Sequence, residues 1–270
     1  MTDFCDPASL ARAIPDGAKL AIPADYAGVA MTATRELVRR KALGLHLVCV
    51  PQSGMQADIL IGAGAVSTIE TSAVTLGEFG LAPRFGAAVR DGAIRILDAT
   101  CPAIHAGLQA AQKGLPFMPL RGILGSDLLA HRPDWKVIGN PFAPDDPIVV
   151  LPAIRPDVAL FHARLADRAG NVFIGRSREL LTMAQAARAC CVTVEEIVPG
   201  DLIEDRDRAG AVLPAIYVTC IAQAERGAAP LALADAYAMD EAALGRYAEL
   251  ARTPEGFQRF LGRFLDEQLA

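Results

Sequence analysis

With 270 residues, 52% of them hydrophobic and 6% aromatic, the chain can bury a sizeable core, either as one large α/β domain or as two small ones. A formal charge of −5 with scattered basic residues leaves no electrostatic footprint for a nucleic-acid partner. No apolar run reaches the roughly 18 uncharged residues that span a bilayer, and the acidic start MTDFCDPASL is unlike a basic leader, so the expected location is cytoplasmic.

Taken in chain order, the turn Pro15-Asp16-Gly17 precedes an apolar run, Lys19–Pro23, that reads as a strand. Residues 31–41 follow as a helix with Met31, Leu37 and Val38 on one face. Leu45–Val50 (LHLVCV) and residues 57–61 (ADILI) read as buried strands, with Gly62-Ala63-Gly64 allowing a tight turn after the second. Residues 94–97 are strand-like. Residues 103–113 are a helix ended by Gly114, and two prolines keep 115–119 extended. Residues 148–151 and 158–161 are strands, 179–188 a helix, and 191–194 a strand feeding Glu195-Glu196-Ile197. Residues 239–269 are helical by pattern. Thr253 caps ahead of Pro254-Glu255, and Phe257, Phe260, Leu261, Phe264 and Leu265 share one face. Residues 132–147 carry Pro133, Pro141, Pro144, Pro147 and the only tryptophan; a loop of that length is usually functional or packed across other elements.

Strands alternate with helices to about residue 222, which predicts an open, mostly parallel α/β sheet flanked by helices. Residues 1–235 form that domain, and 236–270 a helical C-terminal extension packed on it. Cys5, Cys49, Cys101, Cys190, Cys191 and Cys220 lack C-x-x-C spacing and are expected to be reduced thiols. His46, His105, His131 and His162 lack ligand spacing, so no metal site is expected.

Five stretches form an ordered set: ADILIGAGAV (57–66) followed by Ser72, AGLQAA (106–111), GLPFMP (114–119), RGILGSD (121–127), and PDVALFHA (156–163) with ADRAGN (166–171). Together they resemble the A (alpha) subunits of glutaconate CoA-transferase-like proteins, in CoA-transferase family I. The resemblance implies an A-type chain paired with a B-type (beta) partner, often as α2β2. It also implies coenzyme A as thioester substrate with no permanently bound cofactor, and a catalytic glutamate on the partner rather than here. A related branch of ring-opening CoA-ester hydrolases shares these motifs. Hydrolase activity, or a non-catalytic CoA-ester-binding or scaffold role, is therefore the alternative to CoA transfer between an acyl-CoA and a carboxylic acid.

Two departures mark the cleft. Where the resemblance implies a loop of the form G-G-F-x-x-x-G-x-P, this chain has Ala24, Asp25 and Tyr26, which crowd a space that glycines would open to backbone N–H groups. Where related chains place a polar residue ahead of a helix, it has Cys101, followed by the first-turn residue Pro102, at a helix N-terminus whose dipole favours negative charge. No histidine adjoins Cys101 in sequence, so a small packed residue is the preferred reading over a nucleophile. Arg121 is the cation for a carboxylate or a CoA phosphate, or else half of an intersubunit ion pair. Beside it, Gly122, Gly125, Ser126 and Asp127 either cap a helix at Leu128 or present donors to the acyl group. These nine residues are expected to meet in one cleft. His162 reads as a satisfied core histidine ahead of a general base, Asp167 with Asn171 as an Asx-type turn, and Glu195 with Glu196 as structural, since adjacent carboxylates on a strand face opposite ways.

Overall fold

The structure, a computed structural model, describes residues 2–266. Its elements begin with β1 (Asp3–Cys5), α1 (Pro7–Arg12), β2 (Lys19–Pro23), α2 (Met31–Arg39), β3 (Leu45–Val50), α3 (Met55–Gly62), β4 (Val66–Thr71), α4 (Pro83–Arg90) and β5 (Arg95–Asp98). Next come α5 (Cys101–Gln112), β6 (Phe117–Leu120), α6 (Leu128–His131), β7 (Lys136–Gly139), β8 (Pro147–Pro152), β9 (Val158–Asp167), β10 (Val172–Phe173) and α7 (Arg178–Ala186). The chain closes with β11 (Ala189–Val198), β12 (Val212–Leu213), β13 (Cys220–Gln223), α8 (Glu241–Leu250) and α9 (Pro254–Leu265).

The main sheet runs β1-β13-β11-β9-β2-β3-β4-β5, and every neighbouring pair on that path is parallel. Parallel strands are buried on both faces and so read as unbroken apolar runs, which is what LHLVCV in β3 and VALF at the start of β9 are. One face is covered by α1, α2, α3 and the C-terminal helices, with Leu37, Leu60, Phe257 and Phe264 in its core. The other is covered by α5 and α7, through Ile104, Leu108, Leu180 and Met183. The order reverses between β2 and β9: from β2 the chain builds outward through β3, β4 and β5, and from β9 outward the other way. Such a switch point opens a crevice beyond the carboxyl ends of the strands.

Residues 57–61 are not a strand. They lie inside α3, where every side chain from Met55 to Ile61 is buried. A helix covered all round has no polar stripe, so its short apolar run carries no helical period to read. Gly62 ends that helix against α9, and a Cβ there would lie 2.5 Å from the Phe257 ring. The proline-rich stretch 132–147 holds the strand β7, which joins β6 and β8 in a separate antiparallel sheet ordered β6-β8-β7. The helical pattern over 239–269 divides into α8 and α9 with a break before Thr253, whose Oγ1 accepts the Gly256 N–H at 3.0 Å. The last part of that pattern, 267–269, lies outside the described residues. No described helix is long and apolar enough to cross a membrane.

Candidate active site

The crevice is shaped by the loop after β2. β9 pairs with β2 only as far as Ala21, and there the loop 24–30 bends over β9, where the His162 N–H donates to the Gly28 carbonyl at 2.7 Å. Gly28 has φ +81°, and a Cβ would sit 2.2 Å from the His162 carbonyl oxygen, so only glycine allows this approach.

Asp25 enters the loop at the N-terminal end of α3. Its Oδ2 accepts the Met55 N–H at 3.0 Å, and Gly54 makes room for it, since a Cβ at Gly54 would lie 2.2 Å from that oxygen. Oδ1 is buried and meets no partner among the described residues. Burial pushes the carboxyl up to about 6; the Met55 and Gly54 amides pull the other way, and the charge of Asp58 adds to the rise. Asp58 is itself buried, accepting the Phe85 N–H and the Tyr247 hydroxyl, each at 2.6 Å. Beside Asp25 lies a cavity of about 360 Å³, bordered by loops after β2 (Asp25, Tyr26), β3 (Gln52, Ser53) and β4 (Thr75 to Phe79), and by Met239 and Leu244 from the C-terminal segment.

The sequence-derived candidates divide. Ala24 is buried under the loop; Asp25 and Tyr26 line the cavity, Tyr26 being 65% exposed. Cys101 opens α5 behind the Thr100 cap, is exposed, and has its Sγ 3.2 Å from Ser72 Oγ. It lies near enough to Tyr26 that, after burial and Glu179, it helps hold that phenol above its ordinary value. Arg121 borders a different cavity, of about 580 Å³, with Phe117 and Phe142, and pairs with Asp146 of its own chain. Gly122 and Gly125 are in the turn that follows. The capping expected of Ser126 and Asp127 is absent: Ser126 Oγ donates to the Ile123 carbonyl at 2.8 Å, and Asp127 makes no side-chain bond to the four-residue α6. Among the described residues no histidine hydrogen-bonds the Cys101 thiol, so Cys101→Ser is expected to lower turnover of an assembled enzyme by less than about tenfold; a loss near a thousandfold would make the thiol a nucleophile.

Glu195 is engaged more fully than its sequence context suggested. It accepts His162 Nε2–H at 2.8 Å, the Tyr237 hydroxyl at 2.7 Å, and the N–H groups of Arg226 at 2.6 Å and Gly227 at 3.0 Å. His162 is buried, and with Nε2 donating, its Nδ1 is left to accept the Thr193 hydroxyl at 2.8 Å. Asp167 accepts the N–H groups of Ala169 and Asn171, both at 2.9 Å, as an Asx-type turn does. Partial burial pushes the Glu195 carboxyl up, but the bonds from His162, Tyr237 and Arg226 outweigh it and hold it at about 2. A carboxyl lowered on folding stabilises above its ordinary value of 4.5, and that contribution is lost as pH falls toward about 2. Glu195→Gln is therefore expected to cost about 2 kcal/mol at pH 7, allowing for solvent screening, and urea midpoints of the two proteins should converge by more than half at pH 3. A gap that stays constant with pH would remove Glu195 from this role.

Sequence reading missed Gln52, Ser53 and Met239, and the partnership of His162, Glu195 and Tyr237. Gly54, lodged between a strand and a helix, was the one local sign that something needed space there.

A mostly parallel sheet with a ligand-sized cavity beyond the carboxyl ends of β2, β3 and β4 defines an open α/β protein. The profile of the coenzyme A transferase family matches residues 7–224, and the chain belongs to that family. It is 31% identical over 261 residues to the A-type chain of the 3-oxoadipate CoA-transferase of Pseudomonas knackmussii, covering 94% of this chain and 90% of that one. It is 29% identical over 245 residues to the IpdA chain of the cholesterol ring-cleaving hydrolase of Rhodococcus jostii, covering 87% and 82%. Against an uncharacterized protein of Archaeoglobus fulgidus it is 30% identical and spans 53% of that protein's length. The crystal structure of glutaconate CoA-transferase from Acidaminococcus fermentans superposes with a TM-score of 0.91 at 25% identity, over 99% of this chain and 92% of that one. A variant of the decarboxylase AibA/AibB gives 0.83 at 30% identity, over 97% and 99%.

Proposed function

We propose that this chain is the A-type subunit of a cytoplasmic, two-subunit CoA-transferase, assembled as α2β2 with a B-type partner that carries the attacking glutamate. The observation behind the half-site reading is the state of Glu195: four hydrogen bonds and a strongly lowered carboxyl leave it poorly suited to attack a thioester.

In this reading the partner's carboxylate attacks the acyl-CoA carbonyl and expels CoA thiolate, leaving a mixed anhydride. The thiolate then attacks the glutamyl carbonyl and releases the donor acid, and the acceptor acid reverses both steps to take the CoA. This chain's loop 24–30 and the cavity beside it hold the acyl end of the CoA thioester substrate, and closure between two subunits keeps water from the anhydride. No permanently bound cofactor enters these steps. Arg121 of the turn 121–127 borders a second cavity and pairs with Asp146, apart from Asp25.

A second reading, hydrolysis, is favoured by the same loop: Ala24, Asp25 and Tyr26 replace the glycines that the transferase resemblance implies, and water would take the acceptor's place. The test is co-expression with a B-type chain and a screen of acyl-CoA esters with and without acceptor acids. Turnover that requires an acceptor supports transfer, turnover without one supports hydrolysis, and no turnover of any ester by the complex defeats both.

A further inference from the structure

We infer that the cavity beside Asp25 selects acyl-CoA esters whose acyl chain is uncharged and bears a hydroxyl group, held between the Asp25 carboxylate and the Ser53 hydroxyl. The inference rests on the CoA-ester reading above and adds to it the class of acyl group.

Three features of the cavity converge on that chemistry. Its volume, about 360 Å³, suits a short acyl chain, and Leu76, Phe79, Met239 and Leu244 give it an apolar wall. Its charged lining residues are Asp25, Glu78 and Glu241, and among the described residues no Lys, Arg or His borders it. A second carboxylate on the acyl chain would meet like charge from this chain and no cation, which disfavours dicarboxylic esters. An ammonium group would be drawn to the acidic lining but would have to shed its water against the apolar wall.

The third feature is a pair of unsatisfied oxygens. Asp25 Oδ1 and Ser53 Oγ are both buried without a hydrogen-bond partner among the described residues, and both residues form the cavity wall. Buried polar atoms are nearly always paired, so two orphans at one cavity point to a ligand group that supplies what they lack. Asp25 is held in place through Oδ2 by the Met55 amide, which leaves Oδ1 as the acceptor without a donor among the described residues. Its carboxyl, at about 6, is largely ionised at neutral pH. Ser53 offers a donor and an acceptor. A ligand hydroxyl donates to the carboxylate and accepts from the serine at once. A keto oxygen can serve only the serine, since it has nothing to donate.

The test is calorimetric titration of the assembled two-chain complex with butyryl-CoA, 3- and 4-hydroxybutyryl-CoA, succinyl-CoA and β-alanyl-CoA. One of the hydroxy esters is expected to bind about tenfold more tightly than butyryl-CoA, and succinyl-CoA about tenfold more weakly. In Ser53→Ala and in Asp25→Asn the hydroxyl preference should drop below about twofold, a ratio that a general loss of fold would not produce. A preference already below twofold in the wild type, a preference that survives both substitutions, or succinyl-CoA or β-alanyl-CoA ranking first would each overturn the hydroxyl inference and leave the CoA-ester reading standing. Failure of all five esters to bind would overturn both.

Discussion

Turnover of acyl-CoA esters by the 270-residue chain on its own is expected to be indistinguishable from blank, and addition of a B-type partner is expected to restore it. On the half-site reading, the chain brings one wall of a site. Glu195 is committed to His162, Tyr237 and two backbone amides, and one oxygen of Asp25 is committed to the start of α3. Glu78 and Glu241 sit exposed at the cavity with nothing among the described residues to position them against a thioester. An attacking carboxylate must be held within about 3–3.5 Å of the carbonyl carbon, and an open half-site supplies neither that positioning nor exclusion of water. Loss of both accounts for loss of detectable rate even where CoA still binds. Treatment of the assembled complex with acyl-CoA and then borohydride should reduce a glutamyl-CoA thioester, and intact-mass analysis should find the mark on the partner. A modified glutamate in this chain, or turnover by the isolated chain, would refute the half-site reading. Turnover by the complex without any trapped adduct would favour hydrolysis.

Arg132→Met is expected to destabilise the fold by about 3 kcal/mol or more, the range for removing one member of a buried ion pair. Arg132 is 3% exposed and joins the antiparallel sheet to the edge of the main one. Its Nη2 lies 2.8 Å from Glu70 Oε1 at the end of β4 and 2.8 Å from Asp134 Oδ2, Nη1 donates to the Asp98 carbonyl at 3.1 Å, and the guanidinium covers Trp135 at 4.3 Å. Methionine keeps part of the packing on Trp135 but leaves Glu70, 3% exposed, with Lys19 at 3.4 Å as its remaining close cation. Urea unfolding at pH 7 measures the loss. Adding Glu70→Gln to Arg132→Met should recover part of it, because the stranded charge and not the missing attraction dominates the cost. A loss under about 1 kcal/mol, or no recovery in the double variant, would show that the cluster is not clamping the two sheets.

The order of strands and helices was legible in the sequence wherever one element had one signature. β2, β3 and the start of β9 are apolar runs bounded by turn residues. Thr253-Pro254-Glu255 announces the N-terminus of α9, and the face carrying Phe257, Phe260 and Phe264 is buried as its spacing required. Family membership was legible too: the five ordered stretches in the central half of the chain pointed to the family whose profile matches residues 7–224. Residues 57–61 failed for the opposite reason: in α3, burial on every side erased the period that separates helix from strand. Asp25 was visible as a departure from a glycine-rich loop, but its consequence was not. The amide that fixes Oδ2 comes from residue 55, and the serine that shares its cavity wall is Ser53, both brought back to β2 by the parallel pairing of β3. Likewise Glu195 could be read as a strand residue, while the histidine that pairs with it lies 33 residues earlier, on β9, the next strand of the sheet. Local sequence sets which elements form, because capping, turns and burial period act over a few residues. Which polar groups face one another is settled by strand order and register, and these bring together residues that no spacing along the chain connects.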